Sequence, residues 1–410
     1  MDRRRFLQVT GAGGAAVVLS SALGAQPAAA ATRRRVYVLV VDGCRPDEIG
    51  ESLTPRLFAL RGGGTHYPDA RALPVAETIP NHTMMMAGVR PDRTGVPANA
   101  VYDRSAAVVR DLARPGDLRA PTVLERLRSL GLSTGSVLSK EYLYGIFGTR
   151  ATHRWEPSPV VPVSGHAPDL FTMDAALAML RTLDPHLMFV NLGDCDRVGH
   201  TDLTGTTLAV ARTTALASVD AQVGRFVDEL RATGRWRESV VVVLADHSMD
   251  WSHPHRLVSL APVFEEDPML FGRVQIAQNG GADLLYWTGP AELRAAAVRR
   301  MRALARDVPG VLAVHDPSAL RLGPRAGDLV AYCQAGWRFS DPQPVSNLIP
   351  GNHGHPATGP IPFFVVGGSP LVRAGHVSSR AVSTLDVAPT VGAVFGLSAP
   401  PGGYDGQALL

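Results

Sequence analysis

The chain has 410 residues, 45% hydrophobic and 19% charged, with a formal net charge of +3. That length and apolar share support one large core, alone or with an insertion. The small net charge and scattered basic residues argue against a nucleic-acid-binding surface, and the three cysteines Cys44, Cys195 and Cys333 exclude a disulfide-stapled fold.

Residues 1–31 read as an export signal. Arg3-Arg4-Arg5-Phe6-Leu7-Gln8 has the twin-arginine pattern, Gly11 to Gly24 is apolar, and alanine-rich residues run to Ala31. The apolar stretch is shorter than the ~20 residues that cross a bilayer, and no later segment qualifies. The expected partner is therefore the twin-arginine export machinery, and the expected location is outside the cell or in its envelope. That route moves folded proteins, which suits metals loaded before export.

Beyond the signal, the apolar run Val36–Val41 predicts a strand ending in Asp42-Gly43. Thr78 precedes a proline-started helix, Pro80–Ala87. Helices are expected over Ala120–Leu130, Met173–Leu183 and Leu208–Thr233, and strands over Ser136–Leu138, Leu187–Leu192 and Ser239–Leu244. The last of these is almost purely apolar, as a strand buried on both faces should be. Residues 250–345 change texture, with more proline, glycine and aromatic residues and a separate helix, Ala291–Ala305; they read as an inserted cap. A strand, Pro362–Val366, and a helix, Thr384–Phe395, close the chain. This alternation predicts an α/β fold with a mostly parallel central sheet flanked by helices. The catalytic domain would comprise residues 32–249 and 346–410.

Ligands in such sheets gather at the carboxyl ends of strands, and Asp42, Asp196, Asp246 and His247 all follow predicted strands. Asp196 and His200 are four apart, on one face if helical. Asp246-His247 ends the most buried strand, where polar groups are costly unless paired or metal-bound. With His353, these residues suggest two metal ions beside Thr78, a device for displacement at phosphorus. Asp, His and Thr ligands without cysteine suit two Zn²⁺ or similar divalent ions. Three carboxylates against two such ions leave about +1, a site that attracts a small phosphorylated substrate and activates the Thr78 hydroxyl. A plain N-cap role for Thr78 is compatible with this. Cys44 and Cys195 adjoin ligand clusters and read as small buried side chains. His253 and His255 read as loop residues, His82 as a packing and hydrogen-bonding residue, and Met84-Met85-Met86 as helix core.

The chain resembles the alkaline phosphatase superfamily, and within it the type I phosphodiesterase/nucleotide pyrophosphatase branch. The resemblance rests on Val41-Asp42-Gly43, Thr78-Ile79-Pro80-Asn81-His82, Gly88-Val89-Arg90-Pro91, Asp196-Arg197-Val198-Gly199-His200, Ala245-Asp246-His247-Ser248-Met249 and Gly351-Asn352-His353-Gly354. It implies an alkaline phosphatase-like fold with one zinc on Asp42, Asp246, His247 and the Thr78 oxygen, and another on Asp196, His200 and His353. It implies attack by Thr78 through a phospho-threonine, with Asn99 hydrogen-bonding a nonbridging oxygen. Asp386 is expected to be a cap or structural acid near the closing helix. Ser248 stands where the family often has glycine, and the usual proline before Asp196 is missing; neither change removes a ligand. Lys140, the sole lysine, resembles the lysine with which phosphonoacetate hydrolases and single-threonine phosphomonoesterases of the superfamily pair a phosphoryl oxygen. The expected activity is hydrolysis of a phosphodiester or nucleotide pyrophosphate. A phosphomonoesterase or phosphonate hydrolase is the alternative that Lys140 favours. A phosphoryl transferase with a cell-envelope acceptor is the alternative of another class. A sulfatase would need a C/S-x-P-x-R setting that the Thr78 segment lacks, and the full ligand set argues against a binding protein that lost catalysis.

Overall fold

An eight-stranded sheet runs through the centre of the protein. In the computed structural model, which describes residues 33–162, 164–201, 210–343 and 346–410, its spatial order is His376–Val377, Thr65–His66, Phe363–Val366, Ser239–Leu244, Arg35–Val41, Leu187–Leu192, Thr134–Leu138 and His153–Trp155. The expected export signal over residues 1–31 and the expected helix start at Leu208 both lie outside the described residues. Five neighbouring strands, from Ser239–Leu244 to His153–Trp155, are mutually parallel; Phe363–Val366 then runs antiparallel to Ser239–Leu244. The sheet is thus mostly parallel, as the alternating pattern implies.

The register sets up the site. Val41 pairs with Leu192, and Val40 pairs with Leu244. Three strands therefore end level, and the residues just beyond them, Asp42, the Gly193–Asp196 segment and Asp246, emerge at one edge. The valine-rich runs form these strands because β-branched side chains fit a pleated surface packed on both sides. Every residue of Leu187–Leu192 and Ser239–Leu244 is buried. Helices Pro55–Gly63 and Asp169–Thr182 pack on the long helix Val210–Ala232, and Thr78–Ala87 packs on Val387–Phe395.

Several boundaries differ from the sequence pattern. The expected Ala120–Leu130 helix is a short α-helix, Val123–Arg126, continued as a 3₁₀ turn, Leu127–Leu130; Thr122 and Glu125 form a capping box that starts it late. The closing helix begins with a 3₁₀ turn, Thr384–Asp386, before Val387–Phe395. Thr78 is the first residue of the Thr78–Ala87 helix and Glu77 holds the N-cap position, so Thr78 is not itself the cap. Met84, Met85 and Met86 are fully buried.

Residues 250–343 leave the sheet after Ser239–Leu244, and the chain rejoins it at Phe363–Val366. They contain a four-stranded antiparallel sheet, in order Val274–Asn279, Ala282–Trp287, Leu329–Cys333 and Val311–His315. The helix Arg294–Asp307 packs on it through Ala297, Met301 and Ala305, at helical spacing. Phe264, Leu285, Trp287, Leu329 and Phe339 join these residues in a hydrophobic core separate from that of the main sheet.

Candidate metal centre

Asp42 follows its strand directly, and Gly43 makes the turn with φ of 71°. A Cβ at Gly43 would stand 3.0 Å from the Asp196 Cα, so glycine allows both the left-handed turn and the approach of the Asp196 helix. Asp196 and His200 lie on one face of Asp194–Thr201. Asp246 and His247 follow Ser239–Leu244. His353 follows the short strand Gly351–Asn352, which pairs with Asp250–Trp251. Thr78 arrives on the amino terminus of its helix.

The seven sequence-predicted ligands converge. Within the first expected group, His247 Nε2 lies 3.4 Å from Asp246 Oδ2, 3.7 Å from Asp42 Oδ1 and 3.1 Å from Thr78 Oγ1. Within the second, His200 Nε2 lies 3.2 Å from Asp196 Oδ1 and 3.1 Å from His353 Nε2, and His353 lies 3.7 Å from Asp196. A tetrahedral ion with bonds near 2.0–2.1 Å separates its donors by about 3.3 Å, close to these spacings. The donor atoms of Asp42, Asp246 and His247 all lie within 4.8 Å of one another, as do those of Asp196, His247 and His353. His247 is thus placed between the two groups, its ring stacked on that of His353 at 3.7 Å.

Hydrogen bonding fixes what each group presents. His200 Nδ1 faces the Gly351 carbonyl, His247 Nδ1 the Ser248 carbonyl and His353 Nδ1 the Ala76 carbonyl. A carbonyl only accepts, so each Nδ1 carries the proton and each Nε2 turns a lone pair inward. Facing them, Asp42 Oδ1, Asp196 Oδ1 and Asp246 Oδ2 are buried without a hydrogen-bond donor. Converging lone pairs on buried atoms repel and are costly. Divalent cations satisfy all of them, so the residues present fit a two-ion centre.

Lys140 is fully buried, and its Nζ lies 2.7 Å from both Asp42 Oδ2 and Asp196 Oδ2. Its ammonium therefore joins the two carboxylates, and Lys140 is not among the residues that line the cavity. Burial opposes its charge, but Asp196 and Asp42 outweigh that and raise its pKa. Burial also opposes the charge on Asp196, yet the Lys140 ammonium holds that carboxyl well below the usual range. Burial pushes Asp246 up, and burial with the nearby Asp246 charge pushes Asp42 up. Burial lowers His247 to about 4, keeping its imidazole neutral.

The site opens into a cavity of about 410 Å³ lined by Thr78, Asn99, Tyr142, Arg197, Asn279 and His353, among others. Asn99 Oδ1 accepts the Ile79 N–H at 2.8 Å, and the Asn99 N–H donates to Glu77 Oε2 at 2.7 Å. The amide is pinned beside Thr78 with its Nδ2 donor left for the cavity. Arg197 donates to the Tyr142 hydroxyl at 3.2 Å, and places a guanidinium on the wall.

Other residues follow their sequence readings. His82 Nδ1 donates to the Thr78 carbonyl at 2.9 Å, and its Nε2 accepts from Asn191 Nδ2 at 3.0 Å. Asp386 accepts the N–H groups of Ser383 and Gln407. The Ser248 hydroxyl donates to the Pro360 carbonyl, so the departure from glycine is accommodated. His253 and His255 are exposed, and Cys44 and Cys195 are buried free thiols. Asn191 was missed. It donates to Asp42 Oδ2 at 2.7 Å and accepts from Ser139 Oγ at 2.5 Å. An amide inside the apolar run Leu187–Leu192 was the available signal.

Comparison with known proteins adds three findings. The family described as type I phosphodiesterase/nucleotide pyrophosphatase matches residues 36–355. An uncharacterized pyrophosphatase/phosphodiesterase of Schizosaccharomyces pombe is 24% identical over 244 residues, covering 56% of this chain and 47% of that protein. Human ectonucleotide pyrophosphatase/phosphodiesterase family member 1 is 23% identical over 231 residues, 51% of this chain and 23% of that protein. The match thus spans about half of the first relative and about a quarter of the second. Murine ectonucleotide pyrophosphatase/phosphodiesterase 5, an inactive variant in complex with AMP, superposes with a TM-score of 0.75 at 18% identity, covering 91% of this chain and 97% of that one. The human counterpart gives 0.74 at 15% identity, with 91% and 97% covered. These superpositions show a shared fold.

Proposed function

The chain belongs to the type I phosphodiesterase/nucleotide pyrophosphatase family, and on that premise we propose that it is an exported, zinc-dependent hydrolase of phosphoric esters acting through Thr78. The observation that carries this reading is the set of three donor-less carboxylate oxygens facing inward beside the Thr78 hydroxyl. Asp42, Asp246, His247 and Thr78 would hold one ion, and Asp196, His200 and His353 the other. Two bound divalent ions supply Lewis acidity, lowering the pKa of the Thr78 hydroxyl and neutralising charge on phosphoryl oxygens.

The chain's own groups do the rest. Thr78 Oγ1 gives its proton to solvent and forms a bond to phosphorus as the ester P–O bond on the opposite side breaks; the departing alcohol or nucleotide oxygen takes a proton from solvent. Water then attacks phosphorus and returns the threonine hydroxyl. The helix amino terminus at Thr78 favours the phosphoryl anion. Asn99 Nδ2 donates to a nonbridging oxygen, held ready by the Ile79 N–H. With Lys140 included, the centre carries about +2 when both ions are present, which suits an anionic phosphoryl group. The AMP complex of the murine structural relative favours a nucleotide ester among possible substrates. A second reading, a monoesterase or phosphonate hydrolase, draws only on the positive charge that Lys140 adds behind Asp42 and Asp196, since a dianionic group gains most from an added cation. Arg3-Arg4-Arg5 supports the export route.

The test is turnover of bis-p-nitrophenyl phosphate by purified protein with zinc, after chelation, and after zinc is restored. Thr78→Ala should abolish turnover while zinc-dependent activity returns in the wild type. Retained activity in Thr78→Ala rules out the covalent route, and activity indifferent to chelation rules out the metal.

A further inference from the structure

Arg212, near the start of helix Val210–Ala232, is completely buried. Its Nε donates to Glu48 Oε1 at 2.6 Å and its Nη2 to Glu48 Oε2 at 2.7 Å, a two-pronged pair. Nη1 donates to the Cys195 carbonyl at 2.6 Å, and Nη2 also reaches the Gly43 carbonyl at 2.9 Å. The guanidinium lies 5.1 Å over the Trp251 ring.

Three of these partners, Gly43, Cys195 and Trp251, adjoin the metal centre. Gly43 follows Asp42, and Cys195 precedes Asp196. Trp251 donates its indole N–H to the Gly199 carbonyl at 3.2 Å and pairs with Gly351; the Gly351 carbonyl in turn orients His200. A Cβ at Gly199 would meet Arg212 Nη1 at 2.8 Å, so the ligand helix runs directly against the guanidinium. One side chain thus touches the segments that present ligands to both ions.

Fold stability alone does not account for such a pair. Removing two charges from water is expensive, and a well-packed apolar pair often stabilises a core equally well. Fixed geometry does account for it. Two-ion catalysis at phosphorus needs cations about 3.5–4 Å apart, and a misplacement of about 1 Å costs on the order of 100-fold in rate. We propose that Arg212, braced by Glu48, is the positioning residue that sets the separation of Asp42 and Asp196, and through it the separation of the two ions. This rests on the two-ion reading above.

The experiment titrates zinc into the chelated full-length protein at buffered free zinc and measures bound zinc per chain, melting temperature and kinetics on bis-p-nitrophenyl phosphate. Arg212→Lys keeps the charge and loses the fork. It should fold, bind at least one of the two zinc ions about 10- to 100-fold more weakly, and lose kcat by a similar factor with a smaller change in KM. Arg212→Met/Glu48→Leu removes both charges together; it should melt at or above the wild-type temperature and show the same zinc deficit. Wild-type zinc binding and kcat in either folded variant overturns the proposal, as does zinc binding that recovers along with stability in the double variant. A wild type that binds no zinc sinks the two-ion reading itself. Two zinc ions in the wild type with unaffected variants sink only the role of Arg212.

Discussion

Replacing Lys140 with methionine should destabilise the chelated protein far more than the zinc-loaded one. The ammonium is the shared partner of Asp42 and Asp196, 2.7 Å from each and fully buried. Removing one partner from a buried ion pair costs about 3–5 kcal/mol, because the remaining charge is stranded. At about 2 cal/mol/K per residue over the roughly 380 residues from Arg33 onward, the unfolding entropy is near 0.8 kcal/mol/K, so the melting temperature should fall by roughly 4–6 °C. With zinc bound, the same two carboxylates face divalent cations, and the loss should shrink to about 1 kcal/mol or less. Closing the thermodynamic cycle, the difference of roughly 2–4 kcal/mol must reappear as tighter zinc binding, roughly 30- to 700-fold. Melting curves of wild type and Lys140→Met with chelator and with excess zinc, together with zinc titration, measure every side of that cycle. Equal melting shifts in the two conditions, or unchanged zinc affinity, would refute the reasoning. Lys140→Ala separately tests substrate choice: the monoesterase reading expects a larger loss on p-nitrophenyl phosphate than on its diester, and equal losses count against it.

Asn99→Ala should lower kcat by about 10²–10³, the loss expected for one preorganised donor to a charged oxygen, with little change in melting temperature; a loss under threefold on bis-p-nitrophenyl phosphate refutes that role. A pH effect is expected in the cap. Asp283 is fully buried and faces Asp341, which already accepts the N–H groups of Leu260 and Ala261 and the Ser259 hydroxyl. Burial, together with the neighbouring Asp341 carboxylate, raises Asp283 well above the usual carboxylate range. The native state then holds a proton that the unfolded chain releases near pH 4. Stability from this group is full below that pH and falls as pH rises, by up to about 1.4 kcal/mol per unit, until the native carboxyl ionises. Asp283→Asn should flatten that slope and melt above the wild type at pH 8 but not at pH 4; an unchanged slope overturns the assignment.

The sequence displayed the centre through chemistry at strand ends. Ser239–Leu244 and Val36–Val41 are apolar enough that Asp246 and Asp42 stand out where they end, and parallel register then brings those ends level. What remained hidden depends on side chains that meet only after folding. Nothing local marks Arg212 as different from the other arginines of its helix, since its distinction lies in Glu48, Gly43 and Cys195, all remote in sequence. Lys140 was singled out by its solitude, but its direction was not legible: the same position could have aimed into the cavity, and the two carboxylates decide otherwise. The two-residue strands Thr65–His66 and His376–Val377 carry too little pattern to be seen.

The three imidazoles owe their aim to peptide carbonyls at Ala76, Ser248 and Gly351. A carbonyl survives any substitution at its own position, so side-chain drift there leaves the direction of the ring untouched. Orientation of three of the seven donors is thereby written into chain trajectory instead of residue identity. Serine can stand at 248 without turning His247 away, and the surrounding sequence is free to diverge widely while the trajectory is kept.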